Sequence, residues 1–290
     1  MDLFKAPVVG TLARWRHTRH AAQAVLLLAA AGVVAHGLFG PQIAPRNAAT
    51  VLTWVHYRGL LVLALNAVGN LFCTACPMIL VRDAGRRLVH PALRWPRALR
   101  GKWLALSLFA AALFAYEWLD LWALPRATAW LVLGYFAAAL VVDVLFAGAS
   151  FCKHVCPIGQ FNFAASLMSP TDLQVRTLDT CRACRTVDCI KGRAGASASS
   201  ELRGCELGLF LPMKVGNMDC TLCLDCVRAC PHDNIGLVTR VPGAELLDTR
   251  RRSGIGRLAR RPDLAALAVL FTFGALLNAF PMTSPAGVGG

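Results

Sequence analysis

The chain has 290 residues, 56% of them apolar and only 16% charged, with a mean hydropathy of +0.52. That balance excludes an ordinary soluble domain and points to membrane insertion. A formal net charge of +14 is of the kind that attracts nucleic acid, but the basic residues gather in short loops beside apolar runs, as membrane-orientation signals do, so no nucleic-acid partner is expected.

A basic segment, residues 1–20, opens the chain, with Arg14, Arg16 and Arg19 ahead of the first apolar run. The run 21–40 is too long for a secretory signal and lacks a clear small-residue cleavage site, so it reads as an uncleaved anchor. Further runs at 51–72, 103–123, 127–150 and 264–280 bring the expected membrane helices to five, each near the ~20 residues that cross ~30 Å of hydrocarbon. The first four make a transmembrane region over 21–150. Lysine and arginine number 4 before the first run, 7 between the second and third and 16 between the fourth and fifth, against Arg46 and Arg126 alone in the opposite loops. Basic residues accumulate on the cytoplasmic side, so the N-terminus and segment 151–263 are expected there. The protein is then a multi-pass component of the inner, cytoplasmic membrane, in contact with its lipid. Five spans carry the C-terminus outside, where the glycine-rich residues 285–290 make an abrupt ending from which a continuation of the chain is expected.

Between the fourth and fifth runs the composition changes, and eight of the twelve cysteines fall between 181 and 230. Cys220, Cys223, Cys226 and Cys230, followed by Pro231, have the x2, x2, x3 spacing and terminal proline of bacterial ferredoxins. Three cysteines so close can wrap one face of a four-iron, four-sulfide cube, while in two-cluster ferredoxins the fourth ligates the other cube. Upstream, Cys181, Cys184 and Cys189 are spaced by two and four residues, and Cys205 stands well beyond, with no proline after it. The crossed rule assigns Cys181, Cys184, Cys189 and Cys230 to a first cluster and Cys220, Cys223, Cys226 and Cys205 to a second. Four-thiolate zinc sites are the alternative reading of CxxC pairs, although a compact run ending in Cys-Pro suits one tetrahedral ion poorly. Disulfides are disfavoured by the reducing cytosol.

The expected fold class is therefore mainly α: a polytopic membrane helix bundle with an inserted cytoplasmic α+β ferredoxin-like domain, residues 170–245, holding two 4Fe-4S clusters. Residues 194–200 read as a flexible insert within that domain. A basic juxtamembrane linker, 246–263, with Arg250, Arg251, Arg252, Arg257, Arg260 and Arg261, leads into the fifth helix beside anionic head groups.

Two more cysteine pairs sit at the inner ends of the second and fourth runs: Cys73 and Cys76 before Pro77 (73–77), Cys152 and Cys156 before Pro157 (152–157). Proline disfavours helix in the residue before it, so the pairs look like one device used twice, in repeated hairpins. Four cysteines are then expected to converge beside the ferredoxin domain, as a further metal or cluster site or as quiet packing thiols. A thiolate at a helix C-terminus meets the negative end of the helix dipole, so Lys153, His154 or a bound metal or cluster is expected to compensate. Within the spans, Asp143, with Asn66 at similar depth, reads either as a proton or quinone site or as an interhelical polar clamp. His56 and Arg58, with His36, Glu117 and Asp120 near the outer ends, border either a quinone head-group site or an interfacial belt. A haem on His36 and His56 is a weaker option.

With paired Cys-Pro motifs at helix ends and a following two-cluster ferredoxin domain, residues 20–280 resemble the NapH/NosR-type membrane-bound 4Fe-4S ferredoxins, including the FesM-like proteins of photosynthetic electron transfer. The resemblance implies electron relay between the quinone pool or a membrane redox complex and a cytoplasmic redox partner. It departs from the family at Cys73 and Cys76, which are separated by two residues where the family commonly has three. A second function compatible with the four membrane-surface cysteines is an accessory role, reducing metal or thiols during maturation of another redox enzyme. A structural zinc protein or a redox-sensing regulator is a third.

Overall fold

A computed structural model of the chain describes residues 1–15, 17–195, 202–247, 257 and 259–279. Most of the expected insert at 194–200, Arg250, Arg251 and Arg252 of the linker, and the glycine-rich end lie outside the described residues.

Ahead of the cysteine-rich segment the chain forms α1 (Pro7–Arg14), α2 (Thr18–Phe39), α3 (Ala48–Ala67), α4 (Leu71–Thr74), α5 (Met78–Leu88), α6 (Trp103–Trp118), α7 (Pro125–Leu145) and α8 (Pro157–Ala165). Three of these, α2, α3 and α7, have 22, 20 and 21 residues and are apolar enough to cross a membrane; at ~1.5 Å per residue each covers roughly 30 Å. Five spans were expected. The other two runs fall on α6, of 16 residues, and α12 (Pro262–Ala279), of 18, apolar helices that pack on each other, with Phe109 edge-on to Phe271 at 5.0 Å.

Small residues let the long helices approach. A Cβ added at Gly37 would lie 2.8 Å from the Ala129 Cβ and 2.9 Å from the Ala49 Cβ, so α2 meets α3 and α7 through glycine and alanine, the packing membrane helices favour. Pro125 starts α7 where its missing N–H costs nothing. Its far end is closed by Arg86 of α5, which donates to the carbonyls of Asp143 (2.8 Å), Phe146 (3.2 Å) and Gly148 (2.5 Å) and so satisfies acceptors a helix end leaves open.

The cysteine-rich segment folds around a two-stranded antiparallel sheet, β1 (Thr171–Val175) and β2 (Ile235–Thr239), with Thr171 opposite Thr239 and Val175 opposite Ile235. Between the strands lie three short helices, α9 (Leu178–Ala183), α10 (Asp188–Lys191) and α11 (Asp225–Ala229). Leu173, Ile235 and Leu237 project from the sheet into a core with Leu211, Leu222 and Val227. That core also takes Phe4 and Ala13. The basic N-terminal segment is thus built into the domain: Asp2 bridges to Val238, Arg176 donates to Asp2 (2.8 Å) and Arg14 to Asp233 (2.9 Å).

Candidate functional site

Two cavities open in this domain. Cys181, Cys184, Cys189 and Cys230 line the first, with Val187, Pro231 and Asn234 among the other walls. Cys205, Cys220, Cys223 and Cys226 line the second, behind Leu173, Leu207, Leu209 and Leu224. Leu211 belongs to both linings and forms the partition.

The two halves repeat a local geometry that their spacings conceal. Val187 and Leu224 both adopt left-handed backbone (φ 54° and 62°), and each is followed by an aspartate and then by Cys189 or Cys226 on a one-turn helix. Left-handed backbone is costly for a β-branched residue such as Val187, and here it re-aims the chain toward the cysteine despite the longer gap after Cys184. Cys205 and Cys230 match as well. Each sulfur accepts from the amide four residues on, Leu209 N to Cys205 Sγ and Asn234 N to Cys230 Sγ, both at 3.4 Å. Gly208 (φ 68°) and Asp233 (φ 46°) supply the left-handed turn before that amide. Cys205 therefore needs no following proline, because a glycine turn delivers the same geometry.

The donor sets suit a cationic group that takes four thiolates. Burial pushes Cys189 up to about 11, with Cys230, Cys181 and Cys184 adding to it, and burial together with Asp225 pushes Cys223 up. The Asn234 side-chain amide donates to Cys181 Sγ (3.3 Å), and the Val187 amide and the Thr186 hydroxyl draw the Cys184 thiol below its usual value. Amides aimed at sulfur are what a thiolate-bound cluster uses. Among the described residues no three His, Cys, Asp or Glu side chains converge as a site for one metal ion.

Cys73, Cys76, Cys152 and Cys156 lie where the membrane helices meet this domain. Cys73 and Cys156 are buried and the other two half-buried. The dipole expectation is corrected for two of them: Cys156 caps the N-terminus of α8, its sulfur accepting from Gly159 N at 3.0 Å, and Cys76 faces the first amides of α5, Met78 and Ile79. These sulfurs meet the positive ends of helices, because each proline starts a new helix as well as closing the previous one. Tyr135 Oη lies 2.7 Å from Cys156 Sγ, and Asn162 donates to Cys73 Sγ at 3.4 Å. Burial still dominates, raising all four thiols and bringing Cys156 to about 12. Lys153 and His154 do not compensate: Lys153 donates to the Leu207 carbonyl (2.5 Å), and His154, stacked on Trp95 at 5.3 Å, is pushed down to about 4 by burial and by Lys153. Arg19 and Arg82 are the cations near Cys76.

The expected Asn66–Asp143 contact is also corrected. Asn66 is exposed, whereas Asp143 is 3% exposed and accepts from Phe151 N at 2.8 Å, pinning the turn that carries Cys152. Away from the cysteine-rich domain, His36 Nδ1 accepts from Ala48 N (3.1 Å), the His56 ring contacts the Val51 carbonyl (3.2 Å), and the Arg58 guanidinium lies 5.2 Å from the Trp54 ring and 4.8 Å from that of Tyr116.

Sequence reasoning missed the polar bolts between layers. Arg19, 7% exposed, pairs with Asp225, 9% exposed, at 2.5 Å, joining the N-terminal end of α2 to the helix of Cys226. Thr74 Oγ1 donates to the carbonyls of Thr221 (3.1 Å) and Leu222 (2.8 Å), and Asn70 to that of Cys220 (3.1 Å). Arg19 read only as a topology signal and Thr74 carried none, since such contacts link residues more than 140 positions apart.

Fold and site together define a helical protein of membrane character that bears a small two-stranded domain with two cysteine-walled cavities. The chain is similar to the ferredoxin-type protein NapH of Escherichia coli (strain K12), 27% identical over 186 residues that amount to 59% of this chain and 62% of that protein. It thus spans about three fifths of the length of the curated relative it matches. No family profile and no solved structure matches the chain.

Proposed function

We propose that this chain is a membrane-held iron–sulfur electron carrier. In this reading Cys181, Cys184, Cys189 and Cys230 hold one 4Fe-4S cluster and Cys205, Cys220, Cys223 and Cys226 a second, on the cytoplasmic side of the inner membrane. The carrier relays electrons between the quinone pool or a membrane redox complex and a redox enzyme in the cytoplasm. The observation that carries it is the partition of eight cysteines into two four-cysteine cavities that share Leu211 as a wall. Similarity to a ferredoxin-type protein and three membrane-length helices support it.

When bound, such clusters supply one-electron redox chemistry without transfer of groups. The chain's own residues set the conditions. Leu173, Leu207, Leu209 and Leu224 keep water from the second cavity, Lys214 draws Cys220 toward thiolate against its burial, and the amides of Leu209 and Asn234 hold sulfur lone pairs. Two zinc sites are a poorer fit, because the compact run from Cys220 to Cys230 ending in Cys-Pro suits one tetrahedral ion poorly.

The test is chemical analysis of anaerobically purified protein, which should contain at least about eight iron and eight acid-labile sulfide if both sites are filled. C226S and C230S should each lose about four iron and leave the other cluster's EPR signal. Zinc in place of iron, with no labile sulfide, would refute the proposal.

A further inference from the structure

We infer that Cys73, Cys76, Cys152 and Cys156 together hold a third iron–sulfur centre, seated between the membrane helices and the loop of Cys220 and Cys223. It goes beyond the two-cluster reading and rests on it only for the baseline iron count.

The four sulfurs come from two separate Cys-Pro turns, yet Cys152 is within electrostatic reach of Cys156, Cys76 and Cys73. Each turn presents one cysteine to a fresh helix start of more than two turns, α5 and α8, so amide donors reach two of the sulfurs. Packing thiols do not require this. A cysteine in an apolar layer is content as a protonated small hydrophobe, without amides, a tyrosine hydroxyl and an asparagine amide directed at sulfur.

The surrounding polar atoms supply an independent argument. Six buried side-chain nitrogen or oxygen atoms lack a partner among the described residues, and four belong to side chains around these thiols: Tyr57 Oη, Asn162 Oδ1, Gln160 Oε1 and Arg19 Nε. Tyr57 is within electrostatic reach of Cys73, Cys76 and Cys156; Asn162 donates to Cys73 Sγ; Gln160 donates to the Cys152 carbonyl; Arg19 neighbours Cys76. An unpartnered buried polar atom is costly, and such groups in a native fold point to an ion or ligand. Two of the four, the hydroxyl of Tyr57 and the Nε–H of Arg19, are donors, as the sulfides of a cluster require, and the inference rests on these two; the Gln160 and Asn162 oxygens are acceptors and do not support it. The occupant inferred is an iron–sulfur core, which four thiolates hold in either the two-iron or the four-iron form.

The site adjoins the second cavity directly. Thr74, between Cys73 and Cys76, donates to the two carbonyls that lie between Cys220 and Cys223, and Cys152 packs with Cys205 on the cluster of Phe163, Leu207 and Met218. Arg19 stands beside Cys76 and Cys223 alike.

The experiment compares iron, acid-labile sulfide, zinc and copper in the anaerobic full-length wild type and in C73S, C152S and C226S, with Mössbauer spectra of the iron-57 protein. The expected wild-type content is about ten to twelve iron, two to four beyond the two four-iron sites. C73S and C152S should each lose that excess and keep both ferredoxin EPR signals, whereas C226S should lose about four iron and keep it. A wild type with about eight iron and a spectrum of only two clusters overturns the inference, as does stoichiometric zinc or copper lost in C73S. The Mössbauer count on the wild type decides the matter even if a serine variant fails to fold. Loss of iron in C226S with none in C73S would sink the third centre and leave the two-cluster reading intact; a wild type without iron would sink both.

Discussion

Replacing Arg82 with methionine should loosen the second cavity while leaving the first in place. The guanidinium is 1% exposed and donates to both oxygens of Glu206 (2.7 and 2.9 Å) and twice to Asp83 Oδ1 (2.8 and 3.0 Å). Glu206 directly follows Cys205, so this contact anchors the segment carrying Cys205 to α5. R82M deletes four charge-assisted bonds and leaves two carboxylates sharing the half-exposed Arg203, which lies 2.6 Å from Asp83 and 3.7 Å from Glu206. Removing one partner of a buried pair costs about 3–5 kcal/mol. Arg203 offsets part of that, which leaves about 3 kcal/mol, or roughly a hundredfold in the opening of residues 202–211 at about 1.4 kcal/mol per decade. Hydrogen exchange on the anaerobic protein reads this directly: protection of 202–211 should fall by about two decades in R82M and stay unchanged over 177–191. R82K should restore only part, since one ammonium cannot reproduce the two-pronged grip. Wild-type protection of 202–211 in R82M would refute the reasoning.

The N-terminal staple should be sensitive to acid. Although burial opposes it, Arg176 holds Asp2 below the ordinary carboxylate range, and Arg14 and Arg176 do the same for Asp233. Stability from groups with depressed folded values is present above the unfolded value of about 3.9 and lost as pH falls through the folded values; the protection factors of residues 1–14, corrected for the intrinsic pH dependence of exchange, should therefore be equal at pH 7 and 5 and fall several-fold by pH 3. The pairs are partly exposed, so the effect should stay near ~1 kcal/mol and shrink in high salt. At Gly204 an added Cβ would overlap the Ile190 carbonyl, and the next amide, Cys205 N, donates to the Cys189 carbonyl at 2.9 Å. G204A should thus cost about 1–3 kcal/mol and, on the proposed two-cluster reading, speed chelator-driven iron loss from both cavities together. D225N leaves Arg19 and Arg228 without their shared carboxylate, to which they donate at 2.5 and 2.9 Å, and should lower the melting temperature of the solubilised holoprotein more than R228M does.

Much of this was legible in the residues. Hydrophobic run length found α2, α3 and α7, and the spacing from Cys220 to Cys230 named the loop that walls the second cavity. Run length overstated α6, because Asp120 takes left-handed backbone (φ 45°) just beyond the helix end at Trp118. The equivalence of Cys189 with Cys226 was hidden in φ values, and spacing cannot register a left-handed Val187. The helix starts after Pro77 and Pro157 were missed because proline was read as a terminator alone. Asn66 and Asp143 match in depth along their helices but not in azimuth, since depth follows from counting residues and facing does not. Phe4 in the domain core gave no signal at all, because nothing local distinguishes an anchored basic segment from a free one.

That anchoring has a consequence for biogenesis. Residues 3–14 leave the ribosome ahead of α2, yet Leu173, Val227 and Ile235, against which Phe4 packs, are made more than 150 positions later. Until then the first segment has no docking partner, and the domain can close only around a leader waiting beside the bilayer. Contacts so distant in sequence are slow to form; maturation of this protein should therefore be paced by the arrival of its second strand, with the opening residues open to proteases in the interval.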